Sequence, residues 1–245
     1  MALQASVRRP AYRLYQLAWT GLDWLYPPQC GGCGRQGTRW CLECQRSTEV
    51  IQSSCQRCGQ PLTETGLCYD CQATPPPYHA LRSWAVFNGP LRNAMHRLKY
   101  QGDVALGEVL ARPLIQMLRE LSWEADFVTA VPIGVARRAQ RGYNQAALLA
   151  LPLALGSGLR YRPRALRKQR ETRTQVGLTV VQRRENVAQA YQANSKLVKE
   201  KRVLGVDDIT TSGATIEACA MALIQAGASQ VYGLTLAHAA TQFTG

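Results

Sequence analysis

Beyond residue 80, apolar and polar positions alternate in blocks that have the length and spacing of single strands and helices. Short apolar runs predict buried strands, at 81–87, 126–131, 203–206 and 231–237. The segments between them carry apolar residues at helical spacing and predict helices, at 90–100, 106–121, 145–155 and 213–225. Strands and helices in turn indicate an α/β fold, in which helices cover both faces of a parallel sheet.

The first 29 residues contain one amphipathic pattern. Between positions 11 and 25, apolar residues recur at near-helical spacing, at Leu14, Leu17, Ala18, Leu22 and Leu25. We predict an N-terminal amphipathic helix within 1–29 that packs on the rest of the protein through this side. A membrane-surface helix is the alternative, and it is disfavoured because Lys and Arg do not line the polar side.

Eight of the nine cysteines form four C-x-x-C turns. Two such turns can hold one Zn²⁺ tetrahedrally, because two thiolates separated by two residues reach one ion from a single tight turn. The turns repeat as a unit, since Cys-Gly-Gly-Cys-Gly matches Cys-Gln-Arg-Cys-Gly farther along the chain. The repeat predicts a double zinc ribbon over 30–72 with two structural zinc ions, one held by Cys30, Cys33, Cys41 and Cys44 and the other by Cys55, Cys58, Cys68 and Cys71.

Other uses of these cysteines are weighed against zinc. Spacing also permits interleaved pairing of alternate turns, and four thiolates also hold an iron–sulfur cluster. Disulfides would require an oxidising compartment, and no signal-peptide pattern opens the sequence. A thioredoxin-like motif uses one pair beside a βαβ unit, whereas four pairs crowd this segment. Paired metal-binding turns favour zinc.

A proline run separates the cysteine-rich module from the α/β part. The sequence Ala73-Thr74-Pro75-Pro76-Pro77-Tyr78 can continue neither a helix nor a central strand. It predicts a linker at 73–78 and a larger domain over 79–245. No run approaches the ~20 consecutive apolar residues that cross a bilayer. We therefore expect a cytoplasmic protein with no membrane span.

The formal charge of +13 is concentrated in residues 137–202, which hold twelve arginines and four lysines against three glutamates. Such a segment suits phosphate-rich ligands, either a compact polyphosphate or a nucleic-acid backbone. A solvated basic face is the alternative. All five tryptophans lie outside this segment, which weakens the case for a stacking platform for single strands.

The strand predicted at 203–206 runs into an acid pair and a loop of small hydroxylated residues. Asp207 and Asp208 come first, and Ile-Thr-Thr-Ser-Gly-Ala-Thr follows at 209–215. Backbone N–H groups of such a loop, at a helix N-terminus, cradle a phosphate. Paired aspartates beside it require a ligand with hydroxyls near its phosphate, which describes a ribose 5-phosphate. The alternative, in which the doublet only caps the helix and compensates nearby arginines, leaves the rest of the pattern unexplained.

Further motifs accompany this loop: the cysteine turns, Asn88-Gly89-Pro90-Leu91-Arg92, Leu98-Lys99-Tyr100, Val131-Pro132, Arg141-Gly142-Tyr143-Asn144-Gln145, and Arg170, Thr172, Gln175, Leu178, Arg183, Asn186 and Val187. Residues 203–215 resemble the phosphoribosyl pyrophosphate (PRPP) motif of type I phosphoribosyltransferases. The whole pattern is similar to the ComF family, which is linked to DNA uptake in competence and to nutritional use of DNA. The resemblance implies a type I phosphoribosyltransferase-like sheet behind a double zinc ribbon.

The resemblance also implies roles for residues. Asp207 and Asp208 would be the catalytic pair that holds the ribose hydroxyls. PRPP would be bound by the loop residues Thr210, Thr211, Ser212, Gly213, Ala214 and Thr215, and on its pyrophosphate side by Arg137, Arg138 and Arg141. Mg²⁺ would arrive with PRPP, bridging its oxygens. Residues 160–187 resemble the mobile loop and hood that exclude water from the reacting carbon.

Thr211 departs from the purine-salvage enzymes of this superfamily, which carry an acid at the matching position. Threonine cannot act as a general base at neutral pH, so salvage of hypoxanthine or guanine is disfavoured. One hypothesis is Mg²⁺-dependent phosphoribosyl transfer from PRPP to an unknown acceptor. The other is a single-stranded-DNA-binding accessory protein of DNA uptake or repair, with DNA-uptake or helicase proteins as further partners and the PRPP site regulatory or vestigial. It assigns DNA contacts to Arg160, Arg162, Arg164 and Arg167.

Overall fold

The computed structural model describes residues 9–172 and 179–239. Its helices are α1 (Pro10–Leu25), α2 (Leu42–Arg46), α3 (Tyr69–Ala73), α4 (Gly89–Tyr100), α5 (Leu106–Glu120), α6 (Val135–Arg141), α7 (Gln145–Ser157), α8 (Val180–Val187), α9 (Ser195–Val198) and α10 (Ala214–Gln225). Its strands are β1 (Ala80–Val86), β2 (Phe127–Ala130), β3 (Arg160–Tyr161), β4 (Leu166–Lys168), β5 (Tyr191–Ala193), β6 (Arg202–Thr210) and β7 (Gln230–His238). Gln175, Leu178, the termini 1–8 and 240–245, and the side chains of Leu25 and Arg183 lie outside the described residues.

Five strands form one parallel sheet in the order β1-β7-β6-β2-β3. Helices α4, α5 and α7 cover one face, where Leu98, Leu110 and Leu149 are buried against the sheet. Helix α10 and the antiparallel β4–β5 pair cover the other face, around Ile216 and Leu223. The predicted α/β fold with a helix-covered parallel sheet is therefore confirmed.

Strand β6 is longer than the sequence pattern predicts. The apolar run ends at Val206, but the ladder with β7 continues until Thr210 pairs with His238. Asp207 and Asp208 thus lie within the strand and not after it. The prediction that the doublet follows the strand is wrong, because backbone pairing does not require an apolar side chain once a strand leaves the core.

Helix α1 forms where a helix is predicted, but it packs through the other side. Tyr12 is 2% exposed, and its hydroxyl donates to Glu108 Oε1 of α5 at 3.0 Å. Leu14 and Leu17, on the predicted packing side, are 68% and 64% exposed. The prediction of the packing side is wrong, because aromatic residues at 12, 15 and 19 share the face that meets the buried carboxylate of Glu108.

The cysteine-rich module covers the outer edge of the sheet by bonding to β1. The Leu81 N–H donates to Arg57 O at 2.8 Å, and the Val86 N–H donates to Glu49 O at 2.9 Å. Tyr78, in the predicted linker, is buried. Because an edge strand otherwise exposes unpaired backbone groups, these bonds fix the module to the larger domain.

No helix among 9–172 and 179–239 is long and apolar enough to span a membrane.

Candidate functional site

A cavity of about 420 Å³ opens at the carboxyl edge of the sheet, where ligands bind in parallel α/β proteins. The ends of β2 and β6, the loop that follows each, and helices α4, α6, α7 and α10 supply its walls. Five of the six predicted loop residues line it, namely Thr210, Thr211, Gly213, Ala214 and Thr215. The cavity therefore brings together segments that are more than a hundred residues apart in the sequence.

The acid pair forms one wall of this cavity. The Asp208 carboxylate forms an ion pair with Lys99 at the end of α4, in which Lys99 Nζ and Asp208 Oδ2 are 2.6 Å apart. The Asp207 carboxylate accepts the backbone N–H of Asp208 at 2.8 Å. Burial, and then the negative charge of Asp208, raises the pKa of Asp207 well above its usual range. The pair is thus a partly buried acidic site that faces the Lys99 ammonium group.

The loop after β6 ends at the N-terminus of α10. Gly213 has φ +77° and precedes the first residue of this twelve-residue helix, so the N–H groups of its first turn lack intrahelical partners. The Ser212 Oγ is buried without a hydrogen-bond partner among the described residues. Backbone N–H groups at a helix N-terminus form a binding site for an anion such as a phosphate.

Basic side chains also line the cavity. Arg137 and Arg141 of α6 and Lys168 of β4 contribute to its wall, and the Arg141 guanidinium lies 5.2 Å from the centre of the Tyr100 ring. Burial and the nearby charge of Arg137 lower the pKa of Lys168. Like charges held together in this way favour a bound polyanion, which would relieve their repulsion.

Gln145 is a cavity residue to which the sequence analysis assigned no role. Its side chain is 2% exposed, and its Nε2 has no hydrogen-bond partner among the described residues. A buried amide donor without a partner is costly, and such exceptions mark sites that a ligand completes. The preceding residue, Asn144, fixes the wall by donating to Val131 O at 2.9 Å. Both lie in a motif quoted for the family resemblance, as does Lys99.

Several predicted arginines lie away from this cavity. Arg138, Arg164 and Arg167 line a neighbouring groove, which meets the cavity at Pro132, Ile133, Asn144 and Lys168. Arg160 and Arg162 are exposed and belong to neither set of lining residues. The structure thus divides the predicted arginines among the cavity, the groove and two exposed positions that line neither.

The eight paired cysteines form two clusters, Cys30, Cys33, Cys41 and Cys44, and Cys55, Cys58, Cys68 and Cys71, with the sulfur atoms of each within 4.8 Å of one another. Sulfur atoms of Cys33 and Cys41 are 3.7 Å apart. A tetrahedron with Zn–S bonds of about 2.3 Å has edges of ~3.8 Å, so the geometry fits zinc. The grouping of adjacent turns, and not the interleaved one, is the grouping that the structure shows.

Backbone N–H groups point at the sulfur atoms in both clusters. Cys41 N–H donates to the Cys30 sulfur at 3.4 Å, and Cys68 N–H donates to the Cys55 sulfur at 3.3 Å. Burial opposes ionisation of Cys30, but these bonds outweigh it and lower its pKa to about 6. Thiolates are the form that binds metal, so the donors suit zinc ribbons.

The second cluster is connected to the loop before α10. A Cβ at Gly59, which follows Cys58, would lie 2.5 Å from the Leu81 carbonyl oxygen. The Leu81 side chain and the Tyr78 hydroxyl in turn lie 3.9 and 3.3 Å from where a Cβ would stand at Gly213. This chain of contacts joins the second cysteine cluster to the N-terminus of α10.

Known proteins match both parts of the chain. Residues 21–72 match the double zinc ribbon domain. The DNA utilization protein YhgH of Salmonella typhi is 32% identical over 197 residues, which are 78% of this chain and 86% of that protein. The chain belongs to the ComF family. Another relative of this ComF-family chain, Competence protein F of Haemophilus influenzae, is 27% identical over 207 residues, 80% of this chain and 90% of its own.

Solved structures that resemble the ComF-family chain are phosphoribosyltransferases and related enzymes. Adenine phosphoribosyltransferase from Thermoanaerobacter pseudethanolicus is 17% identical, with a TM-score of 0.37 over 57% of this chain and 84% of that one. The allosteric regulatory enzyme of purine biosynthesis is 23% identical, with a TM-score of 0.39 over 57% of this chain and 29% of that one.

Proposed function

We propose that this ComF-family protein binds PRPP in the cavity of about 420 Å³ and transfers its phosphoribosyl group to an acceptor. The observation that carries the proposal is the division of one cavity into an acidic wall, a helix N-terminus and a basic wall. PRPP has a matching part for each of them, since it carries ribose hydroxyls, a 5-phosphate and a pyrophosphate.

In this proposal the acid pair holds the sugar. Asp207 and Asp208 accept hydrogen bonds from the two ribose hydroxyls, and Lys99 keeps the Asp208 carboxylate in place. The 5-phosphate lies at the N-terminus of α10, where the cavity is lined by Thr211, Gly213, Ala214 and Thr215. Each of these bonds is charge-assisted, and such bonds are the stronger class.

The basic wall holds the pyrophosphate. Arg137 and Arg141 supply forked donors that match phosphate oxygens, and Lys168 adds a compact charge. Gln145 Nε2 is a further donor on this side. During transfer the C1–O bond to pyrophosphate breaks, its electron pair leaves with the pyrophosphate oxygen, and the acceptor's nucleophilic atom bonds to C1. Cations at the leaving oxygens stabilise the charge that develops there.

Metal ions complete the proposal. The Asp207 and Asp208 carboxylates are hard oxygen donors of the kind that Mg²⁺ prefers, and they would hold it together with PRPP oxygens. When bound, Mg²⁺ neutralises charge on the pyrophosphate. In the two cysteine clusters we propose Zn²⁺ as the resident ion, with a structural role.

Calorimetric titration of the full-length protein tests this function. We expect PRPP to bind in the presence of Mg²⁺, with weaker binding of ribose 5-phosphate because it lacks the groups that meet the basic wall. At 100 times its dissociation constant, PRPP is expected to stabilise the fold by about 2.7 kcal/mol. Pyrophosphate release with candidate acceptors then measures transfer. No heat and no stabilisation with PRPP and Mg²⁺ would refute the proposal.

The neighbouring groove supports a second candidate function, binding of single-stranded DNA. Arg138, Arg164 and Arg167 line this groove, which continues into the cavity. Relatives named DNA utilization protein and Competence protein F agree with a role near DNA. An acceptor carried on a nucleic acid would reconcile the two functions, because the groove leads to the PRPP cavity.

Charge reversal on and off the groove tests the DNA candidate. We expect Arg164→Glu with Arg167→Glu to weaken binding of a labelled oligothymidylate and to reduce its salt dependence by about 0.7 per lost phosphate contact. The matched control, Arg160→Glu with Arg162→Glu, changes the net charge equally but leaves the groove intact. Fluorescence anisotropy at several salt concentrations gives both quantities. Equal losses in the two double variants would contradict a role for the groove.

A further inference from the structure

A second cavity, of about 600 Å³, lies between α1, the first cysteine cluster and α5. It shares no lining residue with the cavity at Asp207. Three of the five tryptophans line it, namely Trp19 from α1, Trp40 beside the first cluster and Trp84 from β1. Its volume is in the range of small-molecule sites, and each indole comes from a different structural unit.

The three indole rings line this cavity without stacking on one another. Trp19 makes an edge contact with Tyr15, and the Arg39 guanidinium lies 5.3 Å from the Trp19 ring. Among the described residues, neither Trp40 nor Trp84 makes a ring contact with another aromatic side chain. All three are only partly buried, so the cavity has aromatic walls without an aromatic occupant from the chain itself.

The charges around this cavity are already paired. Arg39 forms an ion pair with Asp23. The buried Glu108 carboxylate accepts hydrogen bonds from Tyr12 and Gln16 and forms an ion pair with Arg112 at 2.9 Å. The two carboxylates and two guanidinium groups cancel, so the cavity does not favour a phosphate or a free cation. Uncharged hydrogen-bonding side chains also line the wall: Gln45, Thr38, whose hydroxyl donates to Trp40 O, and Gln116, whose amide donates to Glu120.

We propose that this cavity binds a nucleobase, carried either by a free nucleoside or by one nucleotide of a single strand. A base is uncharged, has a flat face that stacks on indole, and has donors and acceptors around its edge. These properties match aromatic walls, neutral charge and amide side chains. The site is additional to the PRPP cavity and does not depend on the proposed transfer.

Tryptophan fluorescence of the full-length protein, excited at 295 nm, reports on this site directly. We expect saturable quenching by at least one of adenosine, guanosine, cytidine and thymidine, and none by ribose, which has no base. Trp84→Leu and Trp19→Leu are each expected to weaken the affinity about tenfold, since stacking on an aromatic side chain accounts for this much or more. Trp24→Leu is the control, because Trp24 is 93% exposed and does not line the cavity.

Two comparisons keep the test decisive. If Trp84→Leu fails to fold, Trp19→Leu still tests the site, because Trp19 lies on α1 and not in the core of the sheet. A short oligothymidylate and its abasic counterpart separate the two sources of the base: binding by the oligonucleotide but by no nucleoside would assign a strand. An equal response to ribose or to the abasic strand, no response to any base, or equal loss in Trp24→Leu, would overturn the proposal.

Discussion

Replacement of both carboxylates, Asp207→Asn with Asp208→Asn, is expected to abolish the thermal stabilisation by PRPP and Mg²⁺ while the protein stays folded. Each amide loses the charge that strengthens its bond to a ribose hydroxyl and to Mg²⁺. Hydrogen bonds to charged groups contribute about 1.5–3 kcal/mol each, so two of them account for roughly 100-fold or more in affinity. Thermal unfolding with and without PRPP measures the effect.

The unliganded protein gives an independent check on the same carboxylates. Because burial and Asp208 raise the pKa of Asp207, the folded state holds this proton at higher pH than the unfolded state does. At pH values above the raised pKa, ionised Asp207 therefore lowers the free energy of unfolding. This loss of stability disappears below the pKa of Asp207 in the unfolded state, about 3.9. We expect the single variant Asp207→Asn to be more stable than wild type at neutral pH, with the difference shrinking as the pH falls.

Two outcomes would contradict this account of the acid pair. An unchanged PRPP shift in the double variant would remove the PRPP proposal. A single Asp207→Asn variant that is less stable than wild type at pH 7 would show that the ionised carboxylate does not destabilise the unliganded fold. Glu120→Gln is the matched control, since Glu120 is exposed and lies outside both the cavity and the cysteine clusters.

Gly59→Ala is expected to loosen the second cysteine cluster, whereas Gly34→Ala is expected to be milder. The two glycines follow equivalent cysteines, and their φ angles are +70° and +79°. Positive φ costs an alanine about 1–2 kcal/mol at either position. At Gly59 the added Cβ would also lie 2.5 Å from the Leu81 carbonyl oxygen, while at Gly34 it meets nothing within 4 Å. This clash adds about 1–3 kcal/mol, because backbone must move.

The effect of Gly59→Ala should extend to the PRPP cavity. Leu81 and Tyr78 lie between the second cluster and Gly213, so displacement of β1 disturbs the N-terminus of α10. Metal retention under a chelator, thermal unfolding and the PRPP shift are measured on both variants. Equal loss in Gly34→Ala and Gly59→Ala would show that φ alone matters. A full PRPP shift in Gly59→Ala after metal loss would show that the cluster and the cavity are independent.

The contacts between the second cysteine cluster and the cavity give the cysteine-rich module a second structural role besides covering the edge of the sheet. A structural metal stabilises a segment that has too few apolar residues to fold alone. Here that segment bonds to β1, and the Leu81 side chain of β1 lies near Gly213 at the N-terminus of α10. Metal loss at the second cluster is therefore expected to weaken PRPP binding more than metal loss at the first.

The sequence by itself determined the features that depend on neighbours along the chain. Each cysteine turn brings two thiolates together within four residues, and a strand that contains the acid pair, a loop and a helix follow one another within 202–225. Such local geometry follows from spacing, so the repeat predicts which turns share a metal. The alternation of strands and helices likewise predicts a parallel sheet, because each apolar face must be covered.

Only the tertiary structure decided which distant side chains meet. Lys99 reaches Asp208, three tryptophans from separate units line one cavity, and α1 packs through Tyr12 and not through Leu14 or Leu17. Arg137 lines the cavity and Arg138 lines the groove, because consecutive residues on a helix point about 100° apart. Composition and spacing do not encode these outcomes, since they depend on how rigid elements rotate and pack against one another.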